Sequence, residues 1–175
     1  MAQILPYRGI LPRISPDAFI AENAVIIGDV EIGAGSGIWY NCVLRGDVHQ
    51  IRIGARVNIQ DGTVVHVAKD RFPTIIGDDV SIGHMALIHA CTLEPFSFVG
   101  MQATVMDGAV VESRAMVAAG ALVPPGKRVP AGEIWAGNPA KLLRKLTDKD
   151  YDRFTWTVKQ YASLAEEYRA QQGSL

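Results

Sequence analysis

An aliphatic residue recurs every sixth position through much of this chain, and no other feature restricts its fold as severely. Ile14, Ile20, Ile26, Ile32, Ile38 and Leu44 follow one another without a break. The rhythm resumes at Ile53, Ile59 and Val65, again at Ile76, Ile82 and Ile88, and then from Leu93 through Val99, Val105, Val111, Val117, Val123 and Val129. Four places after each early leader stands something small or β-branched: Ala18, Ala24, Val30, Ser36, Cys42 and Val48. A period of six suits neither an α-helix nor a hairpin meander. It is the signature of stacked hexads, each too short to bury its own apolar face, wound into a parallel β-helix. Side chains alternate along a strand, so each leader points inward and the residue after it points out. Gly28-Asp29, Gly33, Gly35, Gly77-Asp78 and Asp107-Gly108 read as corners.

The repeat also divides the chain. Residues 1–13 read as an irregular lead-in, 14–131 as the β-helix, and 132–175 as an exit loop followed by a helix. Thr147 with Asp150 predicts a helix cap, and Phe154, Val158, Tyr161, Ala165 and Tyr168 form an apolar stripe ending before Gly173. A stripe of this kind packs on the molecule's own body or on a neighbouring subunit. Trp39, Trp135 and Trp156 make no aromatic ladder and are expected to pack. A formal net charge of −1 and a pI near 6.4 give no basic surface for nucleic acid. No apolar run is long enough to cross a membrane and no secretory signal pattern opens the sequence, so a soluble, cytoplasmic protein is expected. Cys42 and Cys91 stand alone, without metal-site or disulfide spacing, and read as small core residues.

Three of the four histidines fall between Val65 and Thr92. The leaders Val65 and Ile76 are eleven apart where six are expected, so about five residues around Lys69–Pro73 must bulge out. His66 and His89 are 23 apart, which less the bulge is three hexads, one full coil, and each directly follows a leader. They are therefore expected to project side by side from adjacent coils at the strand spacing of roughly 4.8 Å, close enough to share a cation. His84 lies two places after Ile82, on the preceding face near a corner, so it is expected to reach that cation only from a neighbouring molecule. The simplest assembly with that property is a cyclic trimer. The same counting stacks Asp61 under His84. A second excess, of three residues around Gly46–Ile51, stacks Arg45 under His66, and Arg45 of one chain is then expected to meet Asp61 of the next. His49 falls in that second bulge and reads as a solvated or interface side chain. The Asp78-Asp79 pair reads as a turn.

At these residues the chain resembles the γ-class carbonic anhydrase family: R-G-D at Arg45–Asp47, N-I-Q-D-G at Asn58–Gly62, V-H-V around His66, and I-G-H-M-A-L-I-H-A-C with His84 and His89. The resemblance spans nearly the whole chain and implies a left-handed parallel β-helix with a C-terminal α-helix. It implies a homotrimer with a metal site between subunits, His66 and His89 from one chain and His84 from the next. It further implies that Arg45, Asp47 and Asp61 organise the interface and the site. Gln60 would stand beside the metal's water, Asn58 near the pocket, and Tyr161 would close the site. Zn²⁺ held by three neutral imidazoles keeps an open position for water, whose pKa falls toward about 7, and hydroxide so formed converts CO₂ reversibly to bicarbonate. Fe²⁺ or Co²⁺ suits the same ligands. Between Lys69 and Arg71 there is only Asp70, whereas fully active members carry a longer acidic insertion. The chain is thus similar to the short-loop branch.

Two other functions compete. Gly137-Asn-Pro-Ala140 after the last coil also occurs in hexapeptide acyltransferases, which rely on one histidine as general base, making three redundant. A non-catalytic, metal-stabilised trimeric scaffold or assembly protein is the third reading.

Overall fold

The computed structural model describes residues 2–172, and the hexads wind into a three-sided parallel β-helix. The first face stacks Phe19–Ile20, Gly37–Ile38, Asn58–Ile59, Ser81–Ile82, Phe98–Val99 and Met116–Val117, all parallel. The other two faces are joined because Val25–Ile32 and Val43–Ile53 run continuously around the edge between them. On the second face Val43, Val64, Leu87, Thr104 and Leu122 lie in register on successive coils. On the third, Ile53, Ile76, Leu93, Val111 and Val129 do the same.

The leaders fill the prism. Ile26, Ile38, Leu44, Ile59, Val65, Ile82, Ile88, Leu93 and Val99 are all fully buried. Each such side chain contributes roughly 1.5–3 kcal/mol by leaving water, and stacking supplies the neighbours that a single coil lacks. Cys42 and Cys91 are buried among them, as their isolation suggested. Burial pushes the Cys42 thiol up to about 12 and raises that of Cys91 as well.

Ser97 occupies the same inward column as Val57, Val80 and Ala115. Its Oγ is the buried side-chain polar atom left without a hydrogen-bond partner among the described residues. A stranded hydroxyl costs about 1–3 kcal/mol. Ser97→Ala is therefore expected to raise the unfolding free energy by about 1 kcal/mol. A urea midpoint that stays put or falls would show that the hydroxyl is satisfied in solution.

Two segments depart from the sequence reading. Within the stretch read as an irregular lead-in, Gln3–Leu5 is a strand paired with Val25–Ile27, extending the second face by one rung. The stretch read as an exit loop contains a strand, Glu133–Ala136, which continues the first face and folds back antiparallel onto Lys141–Lys145. The five-residue excess after His66 is taken up at 68–72, where Ala68 and Phe72 bridge around Asp70.

The C-terminal helix α1, Asp148–Gln172, opens as expected on Thr147, whose backbone N–H and hydroxyl both donate to the Asp150 carboxylate (2.7 Å each). Arg144 adds a two-pronged ion pair to Asp150, and the carboxyl is held far below its ordinary range, first by Arg144 and then by Thr147. Gly173, expected to close the helix, lies outside the described residues. The apolar stripe packs on its own chain's first face: Phe154 stacks on Phe98 with ring centres 4.8 Å apart, and Tyr161 and Tyr168 meet Trp39 edge-on. Trp156 does not pack as expected. It sits on the opposite side of the helix, 63% exposed.

Candidate metal centre

The loop-corrected count places the first pair of histidines correctly. His89 is the register partner of His66 on adjacent coils of the second face. His66 Nδ1 and His89 Nε2 face one another at 3.1 Å. The outward nitrogen of each ring meets a carboxylate: His66 Nε2 lies 3.0 Å from Asp47 Oδ1, and His89 Nδ1 lies 2.6 Å from Asp107 Oδ1.

An ionised carboxylate only accepts hydrogen bonds, so in the neutral imidazoles each outward nitrogen carries the proton and each inward one is left with a lone pair. Two lone pairs aimed at each other repel unless a cation lies between them. Two nitrogens about 2.0–2.1 Å from one tetrahedral zinc sit roughly 3.3 Å apart. The observed spacing suits that arrangement with little adjustment.

Charge reinforces the tautomers. Burial pushes the Asp47 carboxyl up, but hydrogen bonds from His66 and Arg45 outweigh it and leave the group below its ordinary value. Arg45 is the ion-pair partner of Asp47 within the chain. The His66 imidazole is lowered, chiefly by burial and further by Arg45, although Asp47 pulls the other way. His66 consequently stays neutral, with its lone pair available, to lower pH than a free histidine.

His84 sits elsewhere, just before the corner residue Met85, with Nδ1 2.9 Å from Asp61 Oδ2. Asp61 lies one coil below, as the counting required. Among the described residues of the single chain, no three His, Cys, Asp or Glu side chains form a metal-sized group. Tyr161 reaches this edge from α1: its ring packs on Trp39, and its hydroxyl is held above the ordinary value, first by burial and then by the Asp61 charge.

Gln60 precedes Asp61 and is 5% exposed, its backbone pinned between Ile82 O and the Cys42 thiol. Asn58 lies beneath α1, accepting from Trp39 Nε1 and donating to Ser81 Oγ, both at 2.9 Å. His49 is half-buried, its Nδ1 accepting the Gln50 N–H. A cavity of about 640 Å³ between the first half of α1 and the first face is lined by Tyr151, Phe98 and Phe154 and contains none of the histidines.

Comparison with known proteins bears on this constellation. Residues 12–46 match the family model for bacterial transferase hexapeptide (six repeats). The mitochondrial gamma carbonic anhydrase 2 of Arabidopsis thaliana is 53% identical over 160 residues, covering 89% of this chain and 58% of that protein. A carbonic anhydrase of Geobacillus kaustophilus is 42% identical over 169 residues, covering 97% of this chain and 92% of its own length. The chain belongs to the γ-carbonic anhydrase family. Against the Arabidopsis members of that family it spans about three-fifths of their length.

A solved structure extends the likeness beyond the names: a hexapeptide transferase family protein from Anaplasma phagocytophilum superposes with a TM-score of 0.91 at 48% identity, covering 95% of this chain and 98% of that one. No helix among the described residues of this γ-carbonic anhydrase family member is long and apolar enough to cross a membrane.

Sequence reasoning missed Asp107 as a site residue, reading it only as a corner. Leu93 follows Ile88 after five residues, so a corrected coil upward from His89 leads to Met106 and stops one short of Asp107.

Proposed function

We propose that the protein is a metal-dependent carbonic anhydrase, converting CO₂ and water reversibly to bicarbonate at a site shared between subunits of a homotrimer. The observation that carries this reading is the facing pair of His66 and His89 nitrogens, each backed by a carboxylate on its far side. Donors arranged in this way are built for a cation, and three imidazoles suit Zn²⁺, with Fe²⁺ or Co²⁺ compatible. When bound, such a cation acidifies water to near neutrality and so supplies a nucleophile for CO₂.

His84, too far round the prism to join its own chain's pair, provides the third nitrogen from the neighbouring subunit. The surface around the histidines supports a contact there. Val64 and Leu87 flank His66 and His89 at 38% and 39% exposure, and Met85 and Met101 near His84 are 59% and 55% exposed. Side chains of this kind favour burial between subunits.

The remaining residues divide the work. Asp47 fixes the ring of His66 and is itself fixed by Arg45. Asp61 holds His84, and Tyr161 covers that edge from α1. Gln60, buried beside Asp61, orients the water that attacks CO₂. Across the interface, Arg45 of one subunit meets Asp61 of the next. Arg45→Ala is expected to raise the subunit dissociation constant about tenfold, roughly 1.4 kcal/mol. Sedimentation at falling concentration checks this, and an unaltered assembly would remove the ion pair from the interface.

A second reading, acyl transfer, is favoured by the match to the transferase hexapeptide model and by the name of the Anaplasma relative. Stopped-flow CO₂ hydration on anaerobically purified protein of measured metal content separates the two. Hydration that scales with bound metal supports the anhydrase, and acetyl-CoA turnover by metal-free protein would replace it. Stable trimers with no hydration under any of the three metals would leave a scaffold.

A further inference from the structure

The coil that carries His89 is one residue short. Ile82 stacks on Val99, Ile88 on Val105 and Ile76 on Leu93, each seventeen residues on, whereas the coil above repeats at eighteen. The missing residue can be located. In neighbouring hexads the left-handed corner residue stands three places after the leader: Arg56 after Ile53, Met85 after Ile82, Gln102 after Val99 and Gly108 after Val105. After Ile88 it stands two places on, at Ala90 (φ +50°).

His89 is thus the last residue before its corner. Asp107 is the last before the corner of the coil above, where Gly108 N–H donates to Ala90 O at 2.7 Å. In the strand register His89 lies opposite Met106, but in the register of the corner it lies opposite Asp107. The shortened hexad brings the two together, and the carboxylate takes up the ring at 2.6 Å.

From this we infer that Asp107 is the positioning residue for His89, an inference resting on the metal-dependent reading above. Its carboxylate accepts the Nδ1–H, fixes the tautomer and ring orientation, and leaves Nε2 as the ligating nitrogen. Asp107 thereby does for His89 what Asp47 does for His66. A carboxylate behind a ligating imidazole also makes it a better donor to the metal.

The effect falls on metal affinity, so that is the quantity to measure. Removal of a partner of this kind weakens metal binding by roughly 10- to 100-fold. Zn²⁺ affinity of the assembled protein is to be determined by chelator competition. Asp107→Ala is expected to weaken it within that range, and Asp107→Asn, which keeps a weaker acceptor, by less. The unfolding midpoint of the metal-free protein should barely change in either variant, since the Asp107 side chain supports His89 and not the coil. In zinc-loaded protein, nitrogen NMR should find His89 protonated at Nδ1, with that proton exchanging faster with water in Asp107→Ala.

If Asp107→Ala fails to fold, Asp107→Asn carries the test. Zinc binding unchanged within a factor of two in the variants would overturn the role of Asp107 and leave the metal site standing. A wild-type protein that binds no zinc would overturn both.

Discussion

Alanine at position 89 is expected to cost the protein its metal and, with it, roughly a thousandfold or more of any CO₂ hydration, while the β-helix stays folded. The two halves of this expectation have separate causes. Fold stability at this rung belongs to Ile88, fully buried, whereas His89 projects outward and contributes little to the core. Metal binding depends on facing nitrogens, and deleting one ring leaves His66 Nδ1 without its counterpart and Asp107 without the imidazole it holds. Three-ligand sites tolerate such a loss poorly, because the remaining two nitrogens neither saturate the cation nor fix its open position. The check is metal content, far-ultraviolet circular dichroism and stopped-flow hydration on one preparation. One equivalent of metal per site with wild-type turnover would mean that the ligands lie elsewhere.

A large effect on stability is expected from a single methyl group at Gly100. A Cβ there would sit 2.4 Å from Ala119 N and 2.8 Å from Ala118 C, both backbone atoms of the next coil. Neither can move without separating two rungs. Gly100→Ala is accordingly expected to destabilise the protein by about 3 kcal/mol or to prevent folding. Gly120→Ala is the matched control: its φ is +68°, but nothing lies within 4 Å of its added methyl. There the cost is only that of an L-residue in the left-handed region, about 1–2 kcal/mol. Comparable urea midpoints for the two variants would show that the coils can part more easily than their spacing implies.

Much of this architecture was legible because a solenoid converts sequence distance into height. The positions of His66 over Arg45, His89 over His66 and His84 over Asp61 followed from leader spacing alone once two insertions were subtracted. What escaped had no leader to announce it. Gln3–Leu5 pairs with Val25–Ile27 without belonging to the run of hexads, and Lys141–Lys145 runs antiparallel, where a six-residue period has no meaning. Asp107 escaped for a subtler reason, since its hexad is regular and the irregular one belongs to His89. Trp156 shows the limit of composition: bulk and hydrophobicity favour burial, but its place on α1 turns it away from the prism. Whether Arg45 spans to a neighbour is a property of the assembly, and within one chain it pairs with Asp47.

Sealing both thiols inside the prism has a practical corollary for identifying the native metal. Peroxide and dioxygen attack sulfur chiefly as thiolate, and a buried thiol with its pKa pushed up to about 12 offers almost none. Cysteine chemistry is therefore removed as a source of inactivation in air. A preparation that fades on aeration and revives with reductant and fresh ferrous salt would identify iron, and one indifferent to oxygen would exclude it.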